Sequence, residues 1–304
     1  MSKAFAALVD WGTSNLRIWL VNAEGQVLGE RQSPEGMQGL AREQFAGVLD
    51  GHLAVLGADD DLPVMIAGMA GARTGWVEAP YLDAPAKLGF VAEGAVRAPH
   101  DRRAVYILPG VCQKAPLPYD VMRGEETQLA GAAASGYGDG VYCLPGTHSK
   151  WALLQNGVLQ RFTTVMTGEL FDLLGRQSIL RLSVDVSVST TPDNPTFAEA
   201  VREALAPDFS LTAALFSIRA GGLLADLPPT AATSRLSGLL IGQEIAAAQK
   251  AFDKDGPVRL IGSARLSALY GEALRLAGRT SEVLDGAALV RAGLFTAAKL
   301  KFSK

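Results

Sequence analysis

Apolar positions fall into short runs in the first half of the chain and into helical stripes in the second. Ala6 to Asp10 is a short apolar run ending at Gly12, the pattern of a buried strand. Leu16 to Val21 resumes with bulky residues, Asn22 to Gly25 is a turn, and Gln26 to Arg31 alternates. The opening therefore predicts a three-stranded antiparallel meander. Gln44 to Leu56 carries Phe45, Val48, Leu49 and Leu53 at helical spacing. Val64 to Ala67 and Val105 to Leu108 predict buried strands, and a glycine-punctuated segment from Gly68 to Trp76 follows the first of them. Glu125 to Ala134 predicts a helix.

After the flexible break Gly136-Tyr137-Gly138-Asp139-Gly140, the opening pattern returns. Val141 to Leu144, Trp151 to Leu154 and Val158 to Phe162 predict strands. The turns between them are Pro145-Gly146-Thr147-His148-Ser149 and Gln155-Asn156-Gly157. Aligning Gly12 with Gly146 offsets the two copies by 134 residues, close to half the chain. Matched turn chemistry at that spacing argues for a duplicated unit. The remainder predicts helices over Thr167–Leu174, Thr196–Leu205, Ala213–Leu224, Leu236–Phe252, Leu266–Ala277 and Ala287–Leu300, with strands at Val258–Ile261 and Ser281–Leu284. Strands alternating with helices indicate an α/β fold. The expected domains are 1–137 and 138–304, with the closing helix able to pack back on the first.

Composition narrows the function. With 48% hydrophobic and 19% charged residues the chain is an ordinary globular one, not a disordered one. A net charge of −3 leaves no footprint for nucleic acid. Two cysteines, Cys112 and Cys143, exclude a disulfide scaffold and a cysteine-built zinc site, and fit a reducing compartment. The N-terminal apolar run is stopped by Asp10, which argues against secretion. No run reaches the roughly 18 apolar residues of a membrane span. We expect a cytoplasmic protein with no nucleic-acid or membrane partner; a homodimer stays open.

The two equivalent turns carry the chemistry. Gly12, Thr13, Ser14 and Asn15 can aim backbone N–H groups and hydroxyls at phosphate oxygens, and Gly146, Thr147, His148, Ser149 and Lys150 repeat the arrangement. Asp10 precedes the first turn and could hold Mg²⁺ directly or through water; its counterpart in the second copy is Leu144. One turn would then manage metal while the other only grips phosphate. Neither a Walker-type loop nor a strand-linked Gly-x-Gly-x-x-Gly fingerprint is present, so a nucleotide would have to use the hairpin pair.

These hairpins, with the strand-turn Leu260-Ile261-Gly262-Ser263-Ala264, resemble the sugar kinase, heat-shock-protein-70 and actin superfamily. Ala67-Gly68-Met69-Ala70-Gly71, Gly75 to Tyr81, Met122-Arg123-Gly124-Glu125-Glu126-Thr127-Gln128-Leu129, Leu144 to Trp151, Met166 to Leu170 and Leu239 to Glu244 together resemble the 2-dehydro-3-deoxygalactonokinase family, in order along most of the chain. The resemblance implies two related ribonuclease H-like (actin-like ATPase) domains around a central cleft. It implies transfer of the ATP γ-phosphoryl to the terminal hydroxyl of 2-dehydro-3-deoxy-D-galactonate, with ATP and Mg²⁺ as cofactors. The first domain would bind acceptor and metal, the second the nucleotide, with Gly262 and Ser263 near adenosine. The alternatives are another 2-keto-3-deoxy sugar acid or an aldonate as acceptor, or a non-catalytic nucleotide-dependent switch.

Residue roles follow from the same comparison. Acids favour the first turn of a helix on dipole grounds alone. Superfamily sugar kinases place their base there, which makes Glu125 the first choice and Glu126 the second. Adjacent helical positions point about 100° apart, so one hydroxyl is served by one of them. For the substrate carboxylate, Arg123 has a better claim than Arg17 or Arg73. Gly68, Met69 and Gly71 would bring backbone donors to the acid, and Trp76 and Tyr81 would wall its pocket. Glu169 is a further candidate without an assigned role.

Overall fold

The computed structural model describes residues 3–114, 118–252 and 254–303, and of residue 90 the backbone alone. The ends of the expected domains at Met1, Ser2 and Lys304 lie outside the described residues. The chain divides into two units. The first comprises Met1–Asp139, Leu154–Arg161 and Gly286–Lys304; the second comprises Gly140–Leu153 and Phe162–Asp285. The first division falls inside the glycine-rich break, where positive φ at Gly136, Gly138 and Gly140 keeps helix and strand from running on.

Up to that break the elements are β1 (Ala6–Trp11), β2 (Leu16–Val21), β3 (Val27–Ser33), α1 (Gln44–Val55), β4 (Val64–Gly68), β5 (Tyr81–Asp83), β6 (Ala86–Lys87), β7 (Val96–Arg97), β8 (Val105–Ile107), β9 (Gly110–Gln113), β10 (Asp120–Met122) and α2 (Glu125–Ala134). Beyond it come β11 (Gly140–Leu144), β12 (Ser149–Gln155), β13 (Val158–Val165), α3 (Thr167–Arg176), α4 (Pro195–Ala204), α5 (Leu211–Leu224), α6 (Pro229–Ala251), β14 (Val258–Leu260), α7 (Ala264–Leu276), β15 (Ser281–Val283) and α8 (Gly286–Phe302).

The first unit's main sheet has the order β3-β2-β1-β4-β8-β7. β1 and β2 are antiparallel, and β4 and β8 extend the sheet in parallel. The second sheet runs β6-β13-β12-β11-β14-β15, with β14 and β15 again parallel additions, so its strands from β13 to β15 repeat the order of β3 to β8 in the first. The same order built from the same meander is what duplication of one unit produces. The meander forms because each apolar run ends at a turn that reverses the chain. Parallel strands need crossover connections: α1 lies between β1 and β4 and α7 between β14 and β15, whereas β4 reaches β8 through short strands and 3-10 turns.

In the first unit α1 turns Phe45, Leu49 and Leu53 onto a core that includes Trp11, Ile18, Ile66, Trp76 and Ile107. α8, the closing helix, counts with this unit and packs along α2. In the second unit α4 and α6 pack closely, because Gly238 and Gly242 of α6 admit the backbone of Phe197 and Val201. The expected pattern differs in three places. β12 begins at Ser149, so part of the expected turn is strand. α6 begins at Pro229, seven residues before the apolar stripe. A small sheet ordered β10-β9-β5 was not expected, since its strands have only three or four residues.

Candidate active site

In the first unit, three chain segments meet at the end of β1. Asp10 pairs with Arg17 across the hairpin and with Ala67 of β4 on the other side. The turn closes with the Gly12 N–H donating to the Asn15 carbonyl at 2.9 Å. A neighbouring loop braces it: the N–H groups of Met37 and Gln38 donate to the carbonyls of Gly12 and Thr13, and Trp11 Nε1 donates to the Glu35 carbonyl at 3.1 Å. Thr13, Ser14 and Asn15 remain exposed.

Gly68 ends β4 at φ 95°, a conformation that favours glycine. A Cβ there would meet the Trp11 carbonyl oxygen at 2.7 Å, so only glycine lets the loop leave β4 beside Asp10. Gly124 sits against the Gly68 Cα and starts α2. Two carboxylates then fold back on the helix N-terminus. Glu125 Oε2 accepts from the Arg123 N–H at 3.1 Å. Glu126 Oε2 accepts from the Gly124 N–H at 2.7 Å, and its Oε1 accepts from the Thr127 hydroxyl at 3.0 Å.

The electrostatics separate the acids. Burial pushes the Asp10 carboxyl up to about 6; Arg17 pulls it back and the charge of Glu125 pushes it further. Burial pushes Glu126 up to about 8, with Glu125 adding to the rise and its backbone and Thr127 donors only partly offsetting it. Glu126 is 1% exposed, whereas Glu125 is half-buried and keeps an open side.

The raised Glu126 value has a stability consequence. Between about 4.5 and about 8 the folded chain holds this proton and the unfolded chain releases it. Stability from this group is therefore full below about 4.5 and falls as pH rises through about 8. Glu126→Gln removes the titration. Its stability relative to the parent should rise between pH 5 and pH 9 by on the order of 3–5 kcal/mol, read from denaturant midpoints. Parallel pH profiles for the two proteins would contradict the assignment.

Arg123 is built for an anion. Its Nη2 donates to the Ala79 carbonyl at 2.8 Å, and its guanidinium lies 4.3 Å from the Tyr81 ring centroid. Nε and Nη1 are buried with no hydrogen-bond partner among the described residues. Gly71 leaves room for Nη1, since a Cβ there would approach it to 2.9 Å. Two buried donors without acceptors destabilise the folded chain by roughly 1–3 kcal/mol each, and an anion that reaches either one relieves that cost.

The second unit contains a cavity of about 410 Å³, a volume suited to a small molecule. Gly146 and Thr147 of the second turn, Thr167 and Gly168 of α3, and Arg265 and Tyr270 of α7 contribute to its wall. The α3 N-terminus is tied to the turn. Glu169 N–H donates to the Thr147 carbonyl at 2.9 Å, and the Glu169 carboxylate meets His148 Nε2 at 2.5 Å.

The residues expected from sequence are thus distributed unevenly. Asp10, Gly68, Met69, Gly71, Arg123 and Glu125 belong to the segments that converge in the first unit. Thr147 and His148 are exposed on the second turn. Ser149 and Lys150 are buried: the Ser149 hydroxyl lies 2.9 Å from the Tyr270 hydroxyl, and Lys150 Nζ donates to the His148 carbonyl at 3.1 Å. Gly262 abuts Pro145, and the Ser263 hydroxyl caps α7 by accepting from the Leu266 N–H at 3.3 Å. Trp76 needs correction. It is 2% exposed and stacked on Phe45 at 5.8 Å, so it belongs to the core of the first unit. Tyr81 remains at the surface beside Arg123. Sequence reasoning gave no role to Thr167, Tyr270 or Glu244; a lone acid in the apolar stripe of α6 was the signal for the last.

A family profile described as 2-keto-3-deoxy-galactonokinase matches residues 10–297. The chain belongs to this family. It is a sugar-acid kinase by that membership. The Escherichia coli 2-dehydro-3-deoxygalactonokinase is 33% identical over 289 residues, 94% of each chain. The crystal structure of a Sinorhizobium meliloti chain assigned to the same kinase is 45% identical, covers 97% of this chain with 96% of its own, and superposes with a TM-score of 0.90. Component A of the Acidaminococcus fermentans (R)-2-hydroxyglutaryl-CoA dehydratase, 11% identical, shares the fold at a TM-score of 0.53 over 98% of this chain and 99% of its own. The architecture is that of the actin-like ATPases. Among the described residues, no helix of this kinase is long and apolar enough to cross a membrane.

Proposed function

We propose that the chain transfers the γ-phosphoryl group of ATP to the terminal hydroxyl of 2-dehydro-3-deoxy-D-galactonate. The product is 2-dehydro-3-deoxy-6-phospho-D-galactonate, formed in the cytoplasm during D-galactonate breakdown. The observation that carries this reading is the arrangement at the end of β1, where Asp10, Glu125 and the idle donors of Arg123 belong to segments packed on one another.

Phosphoryl transfer depends on positioning and charge neutralisation, with an acid orienting the attacking hydroxyl. Glu125 receives the proton of the terminal hydroxyl. Arg123 takes the substrate carboxylate through Nη1, which lies beside Gly71, and backbone donors around Gly68 to Gly71 meet the remaining oxygens. Thr13 and Ser14 of the first turn and Thr147 of the second address phosphate. Mg²⁺ fits the donor set around Asp10: burial and a neighbouring carboxylate both disfavour the charge of Asp10, and a divalent cation relieves both. When bound, it neutralises phosphate charge. Glu126 takes no part in the chemistry and caps α2.

Measuring ADP release across a panel of sugar acids tests the reaction. Turnover stimulated by 2-dehydro-3-deoxy-D-galactonate supports it; equal, slow turnover with and without every acid refutes it. Stimulation by a different keto-deoxy acid or aldonate would reassign the acceptor. Arg123→Leu should raise KM for the acid by about 10–100-fold, the loss expected when a charge-assisted pair is removed, with KM for ATP unchanged. An unchanged acid KM would remove Arg123 from the site.

A further inference from the structure

Glu244 lies in the middle of α6, 2% exposed, and it gathers the cavity wall of the second unit. Trp151 Nε1 of β12 donates to its Oε1 at 2.7 Å. The Tyr270 hydroxyl of α7 donates to Oε2 at 2.7 Å, and the Thr167 hydroxyl at the start of α3 donates to the same oxygen. Ser149 joins through Tyr270, its Oγ lying 2.9 Å from that hydroxyl. Three elements, β12, α3 and α7, are therefore tied to one carboxylate on α6, and α3, α6 and α7 line the cavity.

The direction of these bonds matters. Indole Nε1 can only donate, and a carboxylate can only accept. With its single proton committed to Glu244, Thr167 keeps only lone pairs for the cavity it lines. Tyr270 gives its proton inward and accepts from Ser149. Thr167 also precedes Gly168, which packs directly on the backbone of Gly146 and Thr147 in the second turn. Its orientation is thereby coupled to the turn expected to grip phosphate.

We propose that Glu244 is a positioning residue for nucleotide binding, holding Thr167 as a hydrogen-bond acceptor toward the cavity. The group it receives is an O–H donor brought by the nucleotide, either a ribose hydroxyl or a magnesium-bound water. This rests on the reading of the second unit as the nucleotide site. Glu244→Gln keeps the side-chain shape and an acceptor for Trp151, but it offers an N–H₂ toward Thr167 and Tyr270. The hydroxyls there must then turn to accept, and Thr167 presents its proton to the cavity instead of a lone pair.

The test is calorimetric titration of ADP into the whole protein, with and without Mg²⁺, alongside steady-state kinetics. Glu244→Gln should weaken ADP binding and raise KM for ATP by about tenfold, the equivalent of one lost hydrogen bond. KM for the sugar acid should stay within twofold, and the thermal midpoint without nucleotide should not fall. Thr167→Val should reproduce the loss, Thr167→Ser should restore binding, and adding Glu244→Gln to Thr167→Val should change affinity less than twofold. Disappearance of the Glu244→Gln penalty without Mg²⁺ assigns the donor to bound water. Its disappearance with 2′- or 3′-deoxy-ADP assigns it to the ribose; either supports the proposal. Unchanged ADP affinity in Glu244→Gln, an equal rise in both KM values, or full additivity with Thr167→Val overturns it while leaving the nucleotide site standing. A parent protein that binds no ADP overturns both.

Discussion

Glu125→Gln is expected to lower turnover by about 10²–10⁴-fold, the range for loss of a general base, while ADP affinity stays within twofold. The argument is geometric. Glu125 is the first residue of α2, held over the Gly124–Gly68 contact and close enough to Asp10 for their charges to oppose each other. Its Oε2 accepts a 3.1 Å bond from the Arg123 backbone, and its side chain is half-buried, not sealed. Glu126 provides the comparison. Its carboxyl is sealed and bonded at both oxygens, so Glu126→Gln should retain turnover within about tenfold of the parent, well short of a base's contribution. Single-turnover phosphorylation of the sugar acid measures both. A Glu126→Gln loss as large as that of Glu125→Gln would reverse the assignment.

The second large effect is on stability. Gly131→Ala and Gly293→Ala should each destabilise the chain by about 3 kcal/mol and lower the thermal midpoint by roughly 6–12 °C. α2 and α8 meet backbone to backbone. A Cβ on Gly131 would lie 1.8 Å from the Leu289 carbonyl oxygen, and one on Gly293 would lie 2.1 Å from that of Thr127. Neither neighbour is the end of a flexible side chain, so relief requires the helices to separate. Separation displaces α2, which carries Glu125, so turnover should fall at temperatures where the variant is still folded. Gly47→Ala in α1 is the control. A Cβ there meets nothing within 4 Å, and helix propensity predicts a gain of up to about 1 kcal/mol. Scanning calorimetry of the three variants reads the outcome; equal midpoints would show that the helix contact yields.

Much of the fold was legible because its strands are continuous apolar runs that stop at glycine-containing turns. β1, β2, β4, β11 and β14 announce themselves this way, and the repeated turn predicts the shared strand order of the two sheets. The start of α6 was hidden. Thr233 and Ser234 are buried although polar, each hydroxyl donating to the carbonyl four residues back, at Pro229 and Thr230. Hydroxyls satisfied within their own helix look like loop residues in a one-dimensional pattern. Trp76 misled for the opposite reason: a tryptophan after a glycine-rich loop looks available, and only the stacking of Phe45 shows it is core.

The sequence by itself determined the local chemistry: where the chain reverses, which turns carry glycine and hydroxyls, that Asp10 stands on one copy only, and that Glu125 and Glu126 open a helix. Those are properties of neighbouring residues, set by backbone sterics and side-chain type. Only the tertiary structure decided which acid is open and which is sealed. Burial and the charge of Glu125 raise the Glu126 value, while packing leaves Glu125 half-buried. It also decided that Arg123 carries two idle donors, and that Glu244 holds Trp151, Thr167 and Tyr270, residues 93, 77 and 26 positions away. Desolvation and hydrogen-bond direction depend on which atoms surround a group, and those atoms come from segments far apart in the chain.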